Sequence, residues 1–284
     1  MAGLAHRLGI AGAAFAACVG AQVAPALAQQ PAPAPPATSE LSDRCPGLVA
    51  ADPPRVVPAA FKSAALADGE VRLTYVGHST FLIESPRLVR IATDYNDYVR
   101  PPLVPDIVTM NHAHSTHYTD HPDPAIKYVL RGWATDDKPA AYDLVYQDVR
   151  VRNVPTNIRD WAGGTERHGN SIFIFEIARM CIAHLGHLHH TLTRQQLDDI
   201  GRVDAVMVPV DGSYTLDLEG MIEVLHALKA PLMIPMHYFG AFTLNRFLDR
   251  VKREWDIEMA ETPSLVLSRA RLPTKPKVLV LPGP

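Results

Sequence analysis

The chain has 284 residues, 47% of them hydrophobic and 20% charged, a composition that supports a cored globular protein and excludes a disordered one. A net charge of −3, with Lys and Arg scattered rather than striped, leaves no electrostatic footprint for a polyanion, so nucleic acid is excluded as a partner. Histidine is the unusual residue: of 13, four fall in 112–121 and four in 184–190.

Residues 1–28 open with His6 and Arg7, continue as an Ala-rich apolar stretch, and end in Ala26-Leu27-Ala28, the small-x-small pattern of a cleavage site. They read as a signal peptide, which places the mature protein in the periplasm or outside the cell. Gly9, Gly12, Gly20, Gln22 and Pro25 weaken the run as a membrane anchor, and no other segment approaches the ~20 apolar residues of a span, so no integral membrane segment is expected after cleavage. A lipobox ending at Cys18 would need an aliphatic residue where Phe15 stands. Cleavage removes Arg7 and no acid, leaving a net charge of −4.

Residues 29–68 form a tether and lead-in, Pro/Ala-rich at first (Pro31, Pro33, Pro35, Pro36) and therefore extended. Cys45 and Cys181 are the two cysteines left, and an oxidising compartment permits a disulfide between them. Cys181 lies equally well in the apolar run Met180-Cys181-Ile182-Ala183 as a small buried thiol.

The folded domain spans 69–284. Apolar runs predict strands over 71–76, 80–84, 89–93, 107–110, 144–151, 171–177, 181–184, 205–208, 232–235 and 265–267. Helices come late. Thr193 to Gln196 has the form of a capping box, and Leu218/Met221/Ile222/Leu225/Leu228 and Leu244/Phe247/Leu248/Val251 repeat at helical spacing. Hairpin-rich β-structure followed by β and α units predicts two packed sheets with helices outside them, a layered α/β sandwich.

The strand at 107–110 runs straight into His112, His114 and His117. Residues two apart at a strand end can turn toward one point beyond the sheet, and a helical turn swings a third histidine back over it. Converging neutral imidazoles are what a zinc-like ion needs.

A strand followed by His-x-His-x-x-His resembles the first metal motif of the metallo-β-lactamase superfamily, usually His-x-His-x-Asp-His. Tyr75 to Ile83 is similar to the opening hairpin of the branch that holds UlaG-like, lactonase-type hydrolases. Thr93-Asp94 is similar to its acidic turn, Ile182 to Gly186 to the strand before its bridging ligand, and Pro235-Met236-His237-Tyr238 to its last ligand motif. The resemblance covers about residues 70–240 and implies a four-layer αββα sandwich, a divalent metal and hydrolysis of a small molecule. Thr116 stands where the family has the aspartate of the second metal site, and His187 where it has the bridging aspartate. The family's third histidine of the first site has no counterpart, its place falling to Asn157, Asp160 or His168.

Loss of two carboxylates with gain of histidines points to a re-ligated site of His112, His114, His117, His187 and His237. A nitrogen-rich set favours zinc, copper, nickel or iron over magnesium or calcium, and one ion over a bridged pair. His184 fits a role behind a ligand, His189 and His190 a solvent-facing one, and His78 a structural pair with Asp94. Asp94, Asp97 and Asp120 are weaker candidate carboxylates, while His226 and His121 read as packing or loop residues. Asp211 is the candidate base, against the alternative of capping the next helix, and Tyr238 the candidate oxyanion donor. The expected function is an exported metal-dependent hydrolase of an ester, lactone, amide or phosphoester. The alternatives are a non-haem redox protein on the same fold and a non-catalytic metal- or ligand-binding protein.

Overall fold

A computed structural model describes residues 65–160 and 162–283. The expected signal peptide, most of the tether and Cys45 lie outside these residues, and with Cys45 the disulfide that the sequence permits with Cys181. The strands are β1 (Glu70–Gly77), β2 (Thr80–Glu84), β3 (Arg90–Ala92), β4 (Ile107–Met110), β5 (Tyr128–Arg131), β6 (Asp143–Tyr146), β7 (Val149–Arg159), β8 (Thr165–Ile177) and β9 (Met180–His184). Helix α1 (Arg194–Ile200), β10 (Ala205–Pro209), α2 (Leu218–Leu228), β11 (Leu232–Met236), α3 (Ala241–Val251), β12 (Asp256–Met259), β13 (Ser264–Ser268) and β14 (Lys277–Val280) follow. They form a six-stranded sheet, β13-β1-β2-β3-β4-β5, and an eight-stranded sheet, β12-β14-β11-β10-β9-β8-β7-β6.

The period of two along each strand divides its side chains between two cores. Phe173 and Phe175 of β8 enter the layer between the sheets with Leu73, Phe81, Ile107 and Ile234, whereas Ile172 and Ile174 face the helices. Met221 and Leu225 of α2 and Phe247 of α3 cover that outer face, completing the α/β sandwich. On the other side, Val108 and Met110 are covered by Tyr95 and Ile126. Among the described residues this fourth layer is built from loops rather than helix.

Local chemistry explains where elements begin and break. The capping box at α1 is present: the Thr193 side chain accepts from the Gln196 amide, and Gln196 Oε1 accepts from the Thr193 amide. The single strand expected over 144–151 is a hairpin, because Gln147 takes a left-handed φ of 53° and Asp148 is held by Ser85 Oγ and the Arg87 amide. β5, β12 and β14 were not legible as strands: β12 is largely exposed, and its parallel pairing with β14 is set by the fold, not by local pattern.

β3–β4 and β9–β10–β11 are parallel runs. Their carboxyl ends release the segments that follow Ala92, Met110, His184, Pro209 and Met236, the usual place for a site in a sheet of this kind. His78, in the β1–β2 turn, joins them: its carbonyl accepts from the His237 amide at 2.8 Å.

Candidate metal centre

His117, fully buried, is the hub of the histidine cluster. Its Nδ1 lies 2.6 Å from Asp94 Oδ2 and 3.3 Å from Ser79 Oγ, and its Nε2 lies 3.1 Å from His237 Nε2 and 3.0 Å from His187 Nδ1. The ring donates from Nδ1 to the carboxylate and presents a lone pair at Nε2, the carboxylate–histidine arrangement found behind metal ligands. His237 repeats it, with Nδ1 3.1 Å from Asp211 Oδ1, an ion-pair distance though off the line of a hydrogen bond. His78 closes the group: its ring lies 4.2 Å from that of His237, its Nε2 is buried without a partner, and one nitrogen each of His78, His117 and His237 fall within 4.8 Å of one another.

Two neutral imidazole nitrogens at 3.0–3.1 Å either share an N–H···N hydrogen bond or, where both present lone pairs, repel unless a cation lies among them. Four nitrogens about 2.0–2.1 Å from a tetrahedral ion stand about 3.3 Å apart, so the spacing fits a transition-metal ion. Burial, then the neighbouring imidazoles, hold His117 and His187 well below the usual histidine range. The same two causes lower His78 to about 4. Burial also lowers His112 and pushes the Asp94 carboxyl up. The rings of His78, His112, His117 and His187 are therefore neutral near pH 7, the form that binds metal.

Of the cluster, His78, His187 and His237 line a cavity of about 840 Å³. His112 and His114 belong to its wall, with rings 5.1 and 6.0 Å from that of His187. His112 donates from Nδ1 to the Gly169 carbonyl at 2.7 Å, and His114 Nδ1 lies 3.1 Å from Thr116 Oγ1. All five histidines expected as ligands thus lie around one place; His237 and His187 each approach His117 Nε2 at 3.1 and 3.0 Å, and the three whose nitrogens lie within 4.8 Å of one another are His78, His117 and His237.

The second histidine segment depends on Gly186, whose φ is +62° and whose hypothetical Cβ would lie 2.4–2.6 Å from Asn111 and Asn170 atoms. Asn170 Oδ1 accepts from the His187 amide at 2.8 Å and so fixes that residue in the cluster. His184 is saturated, Nε2 donating to the Ser79 carbonyl at 2.8 Å and Nδ1 accepting from the Gly186 amide at 3.2 Å. That is a structural place. His189 does not face solvent as expected: it is 8% exposed, lines the cavity, and accepts at Nδ1 from the Arg159 amide at 2.8 Å. His190 is half-buried, with Nε2 shielded and unpartnered.

Other expectations need correction. Asp211 is 1% exposed and is not part of the cavity wall; Oδ2 accepts from the amides of Ser213, Tyr214 and Thr215, and Oδ1 from the Thr215 hydroxyl. Burial favours its neutral form, but His237, Thr215 and the Ser213 amide outweigh that and hold the carboxyl below the usual range. A carboxylate so engaged orients His237; it is not placed to take a proton from water in the cavity. Tyr238 is also turned away, its hydroxyl 3.4 Å from the Leu281 carbonyl and its ring beside Tyr75. Asp94 pairs with His117, not His78.

Of the three candidates for the missing histidine, Asn157 and His168 pair with one another (Asn157 Oδ1 to the His168 amide, 3.0 Å) away from the cavity wall. Asp160 lines the wall, but its Oδ1 accepts from the Ala162 and Gly164 amides. Asp97 is bound by Thr119 and Arg100, and Asp120 is exposed. His226 lies tilted against Trp255, ring centres 5.2 Å apart, and pairs with Glu254 at the surface. His78 and His189 are what sequence reasoning missed as cavity residues. The left-handed φ of 50° at His78, 43° at Asp94 and 56° at His237 marks their turns, yet no local pattern announces it.

Residues 72–237 match the family model for the beta-lactamase superfamily domain. A metallo-β-lactamase superfamily structure from Thermotoga maritima, taken to be a Zn-dependent hydrolase, is 30% identical with a TM-score of 0.55 over 74% of this chain and 98% of that one. The UPF0173 metal-dependent hydrolase of Thermoplasma acidophilum is 26% identical over 197 residues, 62% of this chain and 86% of the relative. That of Opitutus terrae is 29% identical over 198 residues, 59% and 85% of the two chains. A metallo hydrolase from Ignicoccus hospitalis, 21% identical with a TM-score of 0.51, shares the fold.

Proposed function

The chain belongs to the metallo-β-lactamase superfamily, and from that premise we propose that it is an exported metal-dependent hydrolase acting on a small molecule with one zinc ion per chain. The observation that carries this reading is the approach of His237 Nε2 and His187 Nδ1 to His117 Nε2, at 3.1 and 3.0 Å, beside an open cavity. His117, His187 and His237 would hold the ion, with His78 beside them. An ion bound there supplies Lewis-acid activation of water near neutral pH. A set of nitrogens favours zinc over magnesium or calcium, and with Thr116 and His187 at the places of the family's carboxylates no acidic bridge draws in a second ion.

This chain's own residues then orient and enclose. Asp94 fixes the His117 ring with Nε2 forward and raises its basicity, and the Asp211 carboxylate stands 3.1 Å from His237 Nδ1. Phe239 and Tyr214, edge to face at 5.5 Å, wall the cavity with Ile158 and offer apolar surface to a substrate. Export rests on Ala26-Leu27-Ala28 after the apolar stretch; a native N-terminus at Gln29 would support it, and an intact Met1 would oppose it.

The test is a panel of 4-nitrophenyl acetate, a γ-lactone, an anilide and bis(4-nitrophenyl) phosphate, assayed after chelation and after zinc add-back. Turnover that disappears with the chelator and returns with zinc supports the reading. Turnover indifferent to zinc, or none on the whole panel, contradicts it.

A further inference from the structure

Tyr214 and Phe239 form an apolar patch in the cavity wall. Each is 61% exposed, and their rings meet edge to face at 5.5 Å. The Phe239 ring lies 5.6 Å from that of His237 and 5.7 Å from that of His78, so the patch begins beside the histidine cluster. Met259 is equally exposed, but it stands on the edge strand β12 and has no part in the wall.

The backbone that carries Tyr214 is pinned from two sides. Asp211 Oδ2 accepts from the amides of Ser213, Tyr214 and Thr215, and Arg159 Nη2 donates to the carbonyls of Ser213 at 3.3 Å and Thr215 at 2.8 Å. Phe239 follows closely on His237, whose amide is bonded to the His78 carbonyl. The rings themselves stay exposed. An aromatic side chain on a fixed backbone offers contact area at low entropic cost, and its surface is stabilised when an apolar group covers it. The charges in the wall select the rest of the ligand. Asp160 and Glu166 bring two carboxylates against the one guanidinium of Arg159, whose Nη2 is already engaged. That balance opposes an anion and admits an uncharged molecule.

We propose that Tyr214 and Phe239 are the specificity-determining residues of the cavity, taking the apolar chain or ring of an uncharged acyl compound, and this rests on the hydrolase reading above. A cavity of about 840 Å³ holds such a molecule whole. An acyl chain long enough to reach both rings buries apolar surface there; an acetyl group does not. A fully buried methylene is worth about fourfold and one covered on an open wall about two- to threefold, so four additional methylenes should raise kcat/KM by about 10–100-fold.

The experiment compares zinc-loaded full-length protein, Tyr214→Ser/Phe239→Ser and Met259→Ser on 4-nitrophenyl acetate and hexanoate, on the matching pair of 4-nitroanilides, and on the mono-4-nitrophenyl ester of adipic acid, a hexanoyl chain ending in a carboxylate. Binding of 2-naphthol, which offers no bond to hydrolyse, is followed by its fluorescence. Wild type and Met259→Ser should prefer hexanoyl to acetyl by about 10–100-fold, and the adipate ester should fall back toward the acetate. In the double variant the preference should shrink to within about threefold, 2-naphthol binding should weaken by about tenfold or more, and zinc content should stay native. No preference in wild type, a preference kept by the double variant, or an adipate ester as good as the hexanoate overturns the assignment and leaves the hydrolase reading standing. If wild type turns over neither pair, the hydrolase reading fails; 2-naphthol binding that still depends on the two rings then supports the apolar site, and binding independent of them overturns it as well.

Discussion

The segments 112–117 and 184–190 carry three and four histidines, yet they treat the ring differently. In the first, His112 and His117 donate from Nδ1 to an oxygen, of Gly169 or Asp94, and turn a lone pair outward. In the second, His184 and His189 accept at Nδ1 from a backbone amide, of Gly186 or Arg159, which puts the proton on the other nitrogen. Only His187 of that pair of turns brings Nδ1 into the cluster. Histidine density therefore does not identify ligands. The group on the remote nitrogen does, because it sets the tautomer.

The strongest break in this comparison comes from paired variants. Zinc at about 1,000 times its dissociation constant should stabilise the native protein by about 4 kcal/mol. His117→Ala should abolish the zinc-induced rise in Tm and all turnover, whereas His184→Ala should be less stable yet keep the rise. Differential scanning calorimetry with and without zinc separates them. A zinc response surviving in His117→Ala, or lost in His184→Ala, would reverse the assignment of the two segments.

Acid should reveal what the two segments share. Burial, with neighbouring positive charge, depresses His78 and His189 to about 4, and lowers His112, His117, His184 and His187 as well. Below pH 6.5 the unfolded chain takes up protons that the folded one refuses, so stability is complete above about 6.5 and falls toward pH 4. The slope is at most about 1.4 kcal/mol per pH unit for each fully shielded ring. Asp94, with its carboxyl raised by burial, works in the opposite sense but is one group against six. Urea midpoints of metal-free protein at pH 7.5, 6, 5 and 4.5 should fall steadily; a flat series would mean that the rings are already charged when folded.

A smaller effect distinguishes orientation from proton transfer. Asp211→Asn should weaken zinc binding by about 10–100-fold, the usual cost of losing a carboxylate behind a histidine ligand. Turnover at saturating zinc should change less. Isothermal titration alongside kcat checks both, and unchanged zinc affinity with kcat lost would restore Asp211 as a base.

Much of this was legible in the chain. Alternating or continuous apolar runs located β1, β2, β4, β8 to β11 and the two long helices, and the strand running into His112, His114 and His117 located the site. What escaped has one physical origin. The partner of a buried ring is chosen by contacts far away in sequence: Asp94 meets His117 across 23 positions, and the Arg159 amide meets His189 across 30. Asp211 shows the same limit from the other direction. Its Asp-Gly-Ser setting suggests a local turn, which it makes with Ser213 to Thr215, but the approach of His237 from β11 adds the second role. His78 escaped because its left-handed φ turns it toward His237 and away from the Asp94 pairing that the sequence suggested.

The central claim, that His117, His187 and His237 hold a transition-metal ion beneath the cavity, is tested most directly by elemental analysis of purified full-length protein and its His117→Ala/His237→Ala variant after zinc loading and desalting. The account predicts one zinc per chain in the native protein and almost none in the variant. Equal zinc in both proteins would contradict it.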